Sequence, residues 1–313
     1  MSETKGGGET TGKQVHLSCW VVTVFAALFC GWLCNRLALD SDLNWTVSMY
    51  WQKMAIAAQL EELRRLLLLG GSGTHYSLDA MQMEQETGVH CVNMGLHGGL
   101  GLNAILAGVQ GEVRKGDIVI VIPEYGILGG EGVGWLSGPF GVAISRLGIG
   151  GVGARQTVRE ILLGCSTNLT SFGKSIWRVL FGTAGRASLA VGERGGAVNF
   201  MEGAPLPGHI TGKVSAHALG RLQMFDAALR EVGATLLFAP PWLLIEDGDA
   251  ESVAASGKVI EILGTIAPVL YDEKTLNLQT ESALFSDTSY HLAPRGRSVA
   301  TAALAGQLQT FKF

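Results

Sequence analysis

The chain has 313 residues, enough for one large domain or two small ones, and its 47% apolar content excludes both a disordered chain and a multi-span transporter. Its net charge of −4 offers no general electrostatic attraction for nucleic acid, and its five cysteines are too few and too scattered for a disulfide scaffold. Charged residues make up only 16% of the chain, and the 44 glycines predict an α/β or β-rich body with many turns.

The N-terminal part of the chain divides into a polar tail and an apolar segment. Residues 1–15 are predicted to be disordered, because they are polar and glycine-rich. Residues 16–39 contain the uncharged run LSCWVVTVFAALFCGWLC, and about 20 apolar residues can span a bilayer as a helix. The small residues of a cleavage site are missing, so we predict an uncleaved transmembrane signal anchor, with a buried core helix as the alternative. The flanking lysines favour an N-terminus in the cytoplasm.

The body of the chain, residues 40–313, alternates apolar runs with amphipathic segments. The predicted strands are Leu66–Leu69, Val89–Met94, Asp117–Ile122, Ala234–Ala239 and a weaker fifth, Ile266–Tyr271. The predicted helices are Asp40–Arg65, Leu102–Val113, Gly212–Val232 and Glu251–Leu263. This alternation predicts βαβ units and a mostly parallel sheet that is buried on both faces, which is a three-layer α/β/α domain.

A glycine-dense insertion at about residues 126–208 follows the third predicted strand. It has two predicted helices of its own, Arg155–Leu163 and Phe172–Phe181. Its GIGGVGARQ segment has the glycine spacing of a dinucleotide loop, but it follows no convincing strand and no acidic residue stands about 20 positions further on. We therefore interpret this segment as a glycine-rich loop and predict no cofactor.

The first candidate for chemistry is Ser72. It directly follows the first predicted strand in LLLLGGS, and ligands of open α/β sheets bind at the carboxyl ends of the strands. A serine on this turn would lie at a helix N-terminus, where backbone N–H groups favour developing negative charge. From position alone, a simple role for Ser72 as a helix cap is equally open.

A second candidate group lies near the end of the chain, in LFSDTSYHLAPRGR. There Asp287 and His291 share one short loop before a terminal helix. A serine nucleophile needs a base to accept its proton, and the base needs an acid to fix its tautomer. An Asp and a His four residues apart are commonplace, so this pair gains weight only together with Ser72.

Together, these segments resemble the SGNH/GDSL hydrolase superfamily over roughly Leu66–Thr301. The family's first block places the nucleophile directly after the first strand, as LLLLGGSGTHYSLDA does, and its last block is D-x-x-H-L. The chain has one extra residue in DTSYHL, which looks more like the membrane-anchored, extracytoplasmic branch with the exopolysaccharide acetylation proteins. The resemblance implies a flavodoxin-like parallel sheet, Ser72 as nucleophile, His291 as base and Asp287 as the acid that orients it.

The resemblance also implies an oxyanion hole. The segment CVNMGLHGGLGLNAIL looks like the second block of the family, whose glycine donates a backbone N–H to the oxyanion. Gly98 is our choice for this glycine and Gly95 is the alternative. The backbone N–H of Ser72 would be the other donor.

The third family block, G-x-N-D, is absent. VIPEYG stands in its place, so Glu124 occupies the position of the oxyanion-hole asparagine. A carboxylate cannot donate a hydrogen bond, and loss of one donor typically lowers the rate about 100- to 1000-fold. Glu124 is therefore protonated, or turned away, or replaced as donor by Asn93 or Asn103, or the site is no longer a hydrolase.

We expect Glu124, Tyr125, His75 and His97 to lie near the site as pocket residues, although a plain structural role is equally open for both histidines. No metal is predicted, because no H-E-x-x-H or paired C-x-x-C motif is present. The resemblance predicts an esterase or acyltransferase whose substrate is an O-acylated cell-envelope glycan or a similar ester. The alternative is an inactive SGNH-like protein that binds a glycan or a protein partner of an envelope assembly.

Overall fold

The computed structural model describes residues 17–26, 29, 42–60, 64–130, 134–146, 149, 191–200 and 202–311. The predicted tail, much of the predicted anchor and both predicted helices of the insertion therefore lie outside the described residues. Residues 17–26 form a helix with exposed apolar side chains. Within the described part of the chain, no helix is both long enough and apolar enough to cross a membrane.

The described body is built from alternating helices and strands. In chain order these elements are α1 (Asp42–Gln59), β1 (Arg65–Gly70), α2 (Ser72–Ser77), α3 (Ala80–Thr87), β2 (His90–Asn93), α4 (Gly101–Gln110), β3 (Ile118–Ile122), α5 (Tyr125–Gly129), α6 (Ser137–Ala143), α7 (Ala216–Val232), β4 (Thr235–Phe238), β5 (Leu243–Leu244), α8 (Ala250–Gly264), β6 (Leu278–Gln279) and α9 (Pro294–Thr310). Short 3₁₀ turns at Gly98–Leu100 and Ser282–Leu284 complete the set. The α/β class is thereby confirmed.

Four strands form one parallel sheet in the order β2-β1-β3-β4. Each of these strands lies within or next to a predicted apolar run. The predicted fifth strand is wrong: around Val269 there is only a single parallel bridge to Phe238 at the edge of the sheet. Pro268 has no N–H to give to a ladder, so its carbonyl accepts from Phe238 but the pairing does not extend.

The first long helix is shorter than predicted. It ends at Gln59, and Arg65 already belongs to β1. The Arg65 side chain is fully buried and forms a bidentate ion pair with Asp117, with Nε–Oδ1 and Nη2–Oδ2 distances of 3.2 and 2.6 Å. A charged residue can therefore begin this buried strand, because its charge is paired and hydrogen-bonded.

Helices cover both faces of the sheet. Alternate strand residues point to opposite faces, so Leu67 and Val119 join the core on one side and Leu66 and Ile118 join the core on the other. The first core includes apolar side chains of α1, α4, α6, α7 and α8, and the second those of α3 and α9. This arrangement explains why the strands are continuous apolar runs.

The end of the insertion packs next to β2 and α2. The carbonyl of Arg194 accepts a hydrogen bond from Asn93 N at 2.8 Å, and Ala197 N donates to the His75 carbonyl at 3.2 Å. The Arg194 guanidinium also pairs with Glu84 on α3 at 2.8 Å. This part of the insertion thus borders the carboxyl ends of the strands, where the candidate site lies.

Candidate active site

The candidate site lies where β1, β2 and β3 end. The parallel register pairs Gly70 with Ile122, so the turn that follows β1 and the turn that follows β3 lie side by side. Ser72, on the turn after β1, is the first residue of α2. Glu124, on the turn after β3, is the N-cap residue of α5. Gly71 is the N-cap of α2 and no side chain caps this helix, so the capping role left open for Ser72 is wrong.

Ser72, His291 and Asp287 form a continuous hydrogen-bonded chain. Ser72 Oγ lies 3.0 Å from His291 Nε2, and His291 Nδ1 lies 2.9 Å from Asp287 Oδ1. The side chains of His291 and Asp287 are only 12% and 19% exposed. The sequence separates Ser72 from His291 by 219 positions, and the fold brings them within hydrogen-bond distance. This is the order of groups that nucleophilic catalysis by serine needs.

The loop that carries Asp287 and His291 is closed by its own backbone. Phe285 and Leu292 form an antiparallel bridge, and Ser286 N donates to the His291 carbonyl at 2.8 Å. Inside the loop, Thr288 Oγ1 accepts from His291 N at 3.1 Å. The extra residue of DTSYHL is accommodated in this closed loop, across which the carboxylate and the imidazole face each other.

The same loop is fixed to α2, the helix that begins with Ser72. Ser77 Oγ donates to the Tyr290 carbonyl at 2.7 Å and accepts from Leu292 N at 3.3 Å. The Tyr76 ring lies against the His291 ring, with centroids 4.5 Å apart. Two side chains of α2 therefore hold His291 and its loop in place, and such preorganisation is what a general base would require.

The Glu124 carboxyl group lies beside the nucleophile. Its Oε1 accepts a hydrogen bond from Gly73 N at 2.8 Å. A Cβ atom at Gly71 would be 2.5 Å from Oε1, and one at Gly98 would be 2.9 Å from Oε2, so glycine is required at both positions for this approach. Burial raises the pKa of Glu124, whereas the Gly73 hydrogen bond and the nearby His291 lower it less strongly.

The turn after β2 places the predicted oxyanion donors differently. Gly98 lies next to the Glu124 carboxyl group. The Gly95 N–H instead donates a hydrogen bond to Asn93 Oδ1 at 2.9 Å. The Asn93 amide donates to the carbonyls of Thr74 and Leu78 at 2.8 and 2.9 Å. Asn103 Oδ1 pairs with His217 Nε2 at 3.0 Å. The described contacts of Asn93 and Asn103 thus serve the framework of the site.

A buried group of basic side chains lies behind this turn. Lys53 on α1 is fully buried, and its Nζ donates to the Gly95 carbonyl and lies 3.2 Å from His75 Nδ1. Burial lowers the pKa of both Lys53 and His75, and Arg297 lowers each of them further through its charge. His75, predicted as a pocket residue, is instead part of the packing between α1 and α2.

An open cleft of about 540 Å³ begins at Glu124 and Tyr290, next to the turn of Ser72 and the loop of His291. Its wall is formed by glycine backbone and a few larger side chains: Gly98, Gly99, Gly101, Glu124, Gly126, Ile127, Gly130, Gly134, Trp135, His209 and Tyr290. Trp135 is the large aromatic side chain of this wall and is 59% exposed. The His97 ring lies between the Trp45 and Trp135 rings, and Tyr125 is buried with its hydroxyl 2.8 Å from Ser256 Oγ.

The sequence alone does not indicate several residues of the site. Tyr76, Ser77 and Tyr290 join the nucleophile to the loop of the base, and Trp135 borders the cleft. Tyr76 and Ser77 follow Ser72 by about one helical turn. This spacing could have indicated that they lie on the same side of α2 as Ser72 and contact the loop of His291. Lys53 contacts the turn after β2 only because of how α1 packs, and no spacing in the sequence indicates this contact.

Compared with protein-family models and with curated proteins, the chain has no match in either set. The described residues include no group of three or more His, Cys, Asp or Glu side chains that could hold a metal ion. The interpretation of the site therefore depends on its geometry.

Proposed function

We propose that the chain is a serine-dependent acyl ester hydrolase or acyltransferase of the SGNH/GDSL type. One observation carries the proposal: the 3.0 Å and 2.9 Å contacts that join Ser72, His291 and Asp287 in series. An unrelated Ser, His and Asp have no reason to align nucleophile, base and orienting acid in this order, with the base held by packing from the nucleophile's own helix.

In the proposed mechanism, Ser72 Oγ attacks the acyl carbonyl carbon while its proton passes to His291 Nε2. Asp287 keeps Nδ1 protonated and stabilises the imidazolium that forms. The backbone N–H groups of Ser72 and Gly98 would bind the oxyanion of the tetrahedral intermediate. His291 then returns the proton to the leaving alcohol, which leaves an acyl-serine. Water or a second alcohol completes hydrolysis or transfer by the same route.

The strand order supports the finer assignment of the fold. A flavodoxin-like sheet has the order 2-1-3-4-5, and the observed β2-β1-β3-β4 follows its first four positions. The bridge between Val269 and Phe238 lies beside β4, where a fifth strand would stand. The nucleophile at the end of β1 fits the binding crevice of such folds.

We further propose an O-acylated glycan of the cell envelope as the substrate class, as the resemblance implies. The described lining of the cleft includes no lysine or arginine, so it gives an anionic ligand no fixed positive charge and is compatible with an uncharged acylated sugar. Glycine backbone and an exposed indole give a ligand ring close approach and an apolar face. Residues 16–39 would anchor the protein as a single-pass helix, with the catalytic body outside the cytoplasm.

The position of Glu124 favours the alternative, an inactive SGNH-like protein that binds a glycan or an envelope partner. A charged carboxylate next to Gly73 and Gly98 would oppose an oxyanion. The two functions make different predictions for Ser72. Acylation of Ser72 belongs to the enzyme alone, whereas glycan binding that survives without Ser72 belongs to the alternative.

The test uses the full chain in detergent micelles, a fluorophosphonate probe, short acyl nitrophenyl esters and an acetylated glycan. We expect the wild type to be labelled and to release acyl groups, and Ser72→Ala to do neither. Ser298→Ala, an exposed serine of α9, is the matched control and should behave as the wild type. Equal labelling and equal turnover of Ser72→Ala and wild type would contradict the proposal. Glycan binding without any labelling would establish the alternative.

A further inference from the structure

The two oxygens of Glu124 have different surroundings. Oε1 accepts a hydrogen bond from Gly73 N at 2.8 Å. Oε2 lies on the side of Gly98, where the cleft opens. Glu124 is the N-cap residue of α5, yet its side chain makes no capping bond to that helix and extends to the nucleophile's turn instead. The side chain is therefore held by the site and not by its own helix.

We propose that Glu124 acts as a neutral carboxylic acid whose Oε2–H is a third hydrogen-bond donor to the oxyanion. The inference rests on the proposed acyl chemistry at Ser72. It assigns a catalytic role to the residue that stands where the SGNH/GDSL family has an asparagine. A carboxylic acid, unlike a carboxylate, provides one O–H donor, and carboxylic acids that are kept neutral by their surroundings can stabilise oxyanions.

The hydrogen bond from Gly73 decides where the proton stands. Because Oε1 already accepts from a backbone N–H, the proton of a neutral Glu124 belongs on Oε2. Oε2 faces Gly98, whose N–H is the proposed donor from the turn after β2. Two donors from β2 and β3 would then converge on the cleft next to Ser72. An amide side chain at this position would present its NH₂ group in the same place.

The proposed step keeps its protons and electrons in balance. The bond between Ser72 Oγ and the acyl carbon forms as the π pair of the carbonyl moves to its oxygen. The proton of Ser72 passes to His291 Nε2. Glu124 retains its own proton and only donates a hydrogen bond to the oxyanion. When the tetrahedral intermediate collapses, the hydrogen bond weakens and His291 gives its proton to the leaving alcohol.

The titratable groups around the Glu124 carboxyl group are few among the described residues. His291 and Tyr290 face it from the loop before α9, Tyr125 follows it on α5, and His209 lines the same cleft. Burial raises the pKa of Tyr290, and the charge of Glu124 raises that pKa further. A charged His291 favours the carboxylate, whereas burial favours the neutral acid and is the larger effect on the pKa of Glu124.

The sign of the pH dependence follows. An acid with a raised pKa is neutral below that pKa, so activity is lost as the pH rises and Glu124 ionises. The structure thus predicts that activity falls as the pH rises through the pKa of Glu124.

The experiment compares pH profiles of kcat/KM for wild type, Glu124→Gln and Glu124→Ala, measured on the full chain in micelles with a nitrophenyl acyl ester. Glu273→Gln, an exposed glutamate, is the matched control and should follow the wild type. Glutamine is a neutral donor of the same size that does not ionise. We therefore expect the ratio of Glu124→Gln to wild type to rise about tenfold per pH unit above the pKa of Glu124. Glu124→Ala should lose about 100- to 1000-fold below that pKa.

A ratio that stays constant with pH would overturn the inference, whether Glu124→Gln is faster than wild type throughout or inactive throughout. Infrared difference spectra of the full chain give a second readout that needs no turnover. A protonated carboxyl band should be present in wild type, absent in Glu124→Gln and retained in Glu273→Gln. If Ser72 is labelled but the protonated carboxyl band is absent, the proposal that Glu124 is a neutral acid is refuted. The band without labelling refutes the proposed function and leaves the neutral acid standing.

Discussion

Lys53 connects α1 to the turn that provides the proposed oxyanion donor, and its replacement by methionine is a sharp test of that connection. The turn is held at three points: Gly95 N donates to Asn93 Oδ1, Leu96 N donates to the Gly70 carbonyl at 3.0 Å, and Lys53 Nζ donates to the Gly95 carbonyl. Lys53→Met removes the third contact and keeps a side chain of similar length in the same buried space.

The effect on stability and the effect on rate should differ in size. The lost hydrogen bond to a charged donor is worth about 1.5–3 kcal/mol, but burying the ammonium of Lys53 is itself unfavourable, so the two contributions largely offset each other. With about 2–4 °C per kcal/mol for a domain of this size, we expect Tm to change by less than about 4 °C. The rate depends on the position of Gly98, and a misplacement of about 1 Å can lower kcat about 100-fold.

The assay measures kcat and KM for a nitrophenyl acyl ester together with thermal unfolding, both on the full chain in micelles. We expect kcat to fall about 10- to 100-fold while KM and Tm stay near their wild-type values. Lys258→Met, on the exposed face of α8, controls for loss of a positive charge. It should change kcat by less than about twofold and Tm by less than about 1 °C. The reasoning is refuted if Lys53→Met keeps wild-type kcat, or if kcat falls only in proportion to the unfolded fraction.

Three further outcomes follow from the contacts described above. Asp287→Asn should lower kcat by up to about 10⁴-fold with little change in KM, because the amide stabilises the wrong tautomer of His291; steady-state kinetics would show a KM change instead if Asp287 only bound substrate. Trp135→Ala should raise KM for an acetylated glycan several-fold but leave the nitrophenyl ester unaffected, and equal effects on both would refute a role in glycan contact. The hydrogen bond from Arg194 lowers the pKa of Glu84 to about 2, so this carboxylate stabilises the fold above pH 4.5 and loses the effect as the pH falls toward 2. The Tm difference between wild type and Glu84→Gln should shrink over that range in thermal melts.

The parallel sheet could be predicted from local patterns in the sequence, whereas the contact between Ser72 and His291 was expected only from the family resemblance. LLLL and IVIVI are continuous apolar runs, which strands buried on both faces must have. Ser72 follows such a run at once, and the parallel topology fixes the edge at which it emerges. Asp287 and His291 share a short loop, so their mutual contact required little of the tertiary fold.

Other parts of the fold depend on pairings that no local pattern reveals. Arg65 reads as the end of a charged helix, but its pairing with Asp117 places it in β1. The run around Val269 has the composition of a strand, yet it makes only one bridge at the sheet edge. Lys53 is fully buried because of how α1 packs against the turn after β2. In each case a contact between distant segments overrides the local preference.

The charge of the Glu124 carboxyl group distinguishes the two proposed functions of the site, acyl transfer at Ser72 and ligand binding without catalysis. Gly71, Gly73 and Gly98 all approach it closely, so the carboxyl group lies in a cradle of backbone next to the turn that carries Ser72. In its charged form this group would oppose the proposed oxyanion and slow acyl transfer to Ser72. In its neutral form the same contacts make it a donor. We expect labelling of Ser72 to fall as the pH rises through the pKa of Glu124 if the chain is the proposed enzyme, whereas the binding protein should show no labelling at any pH.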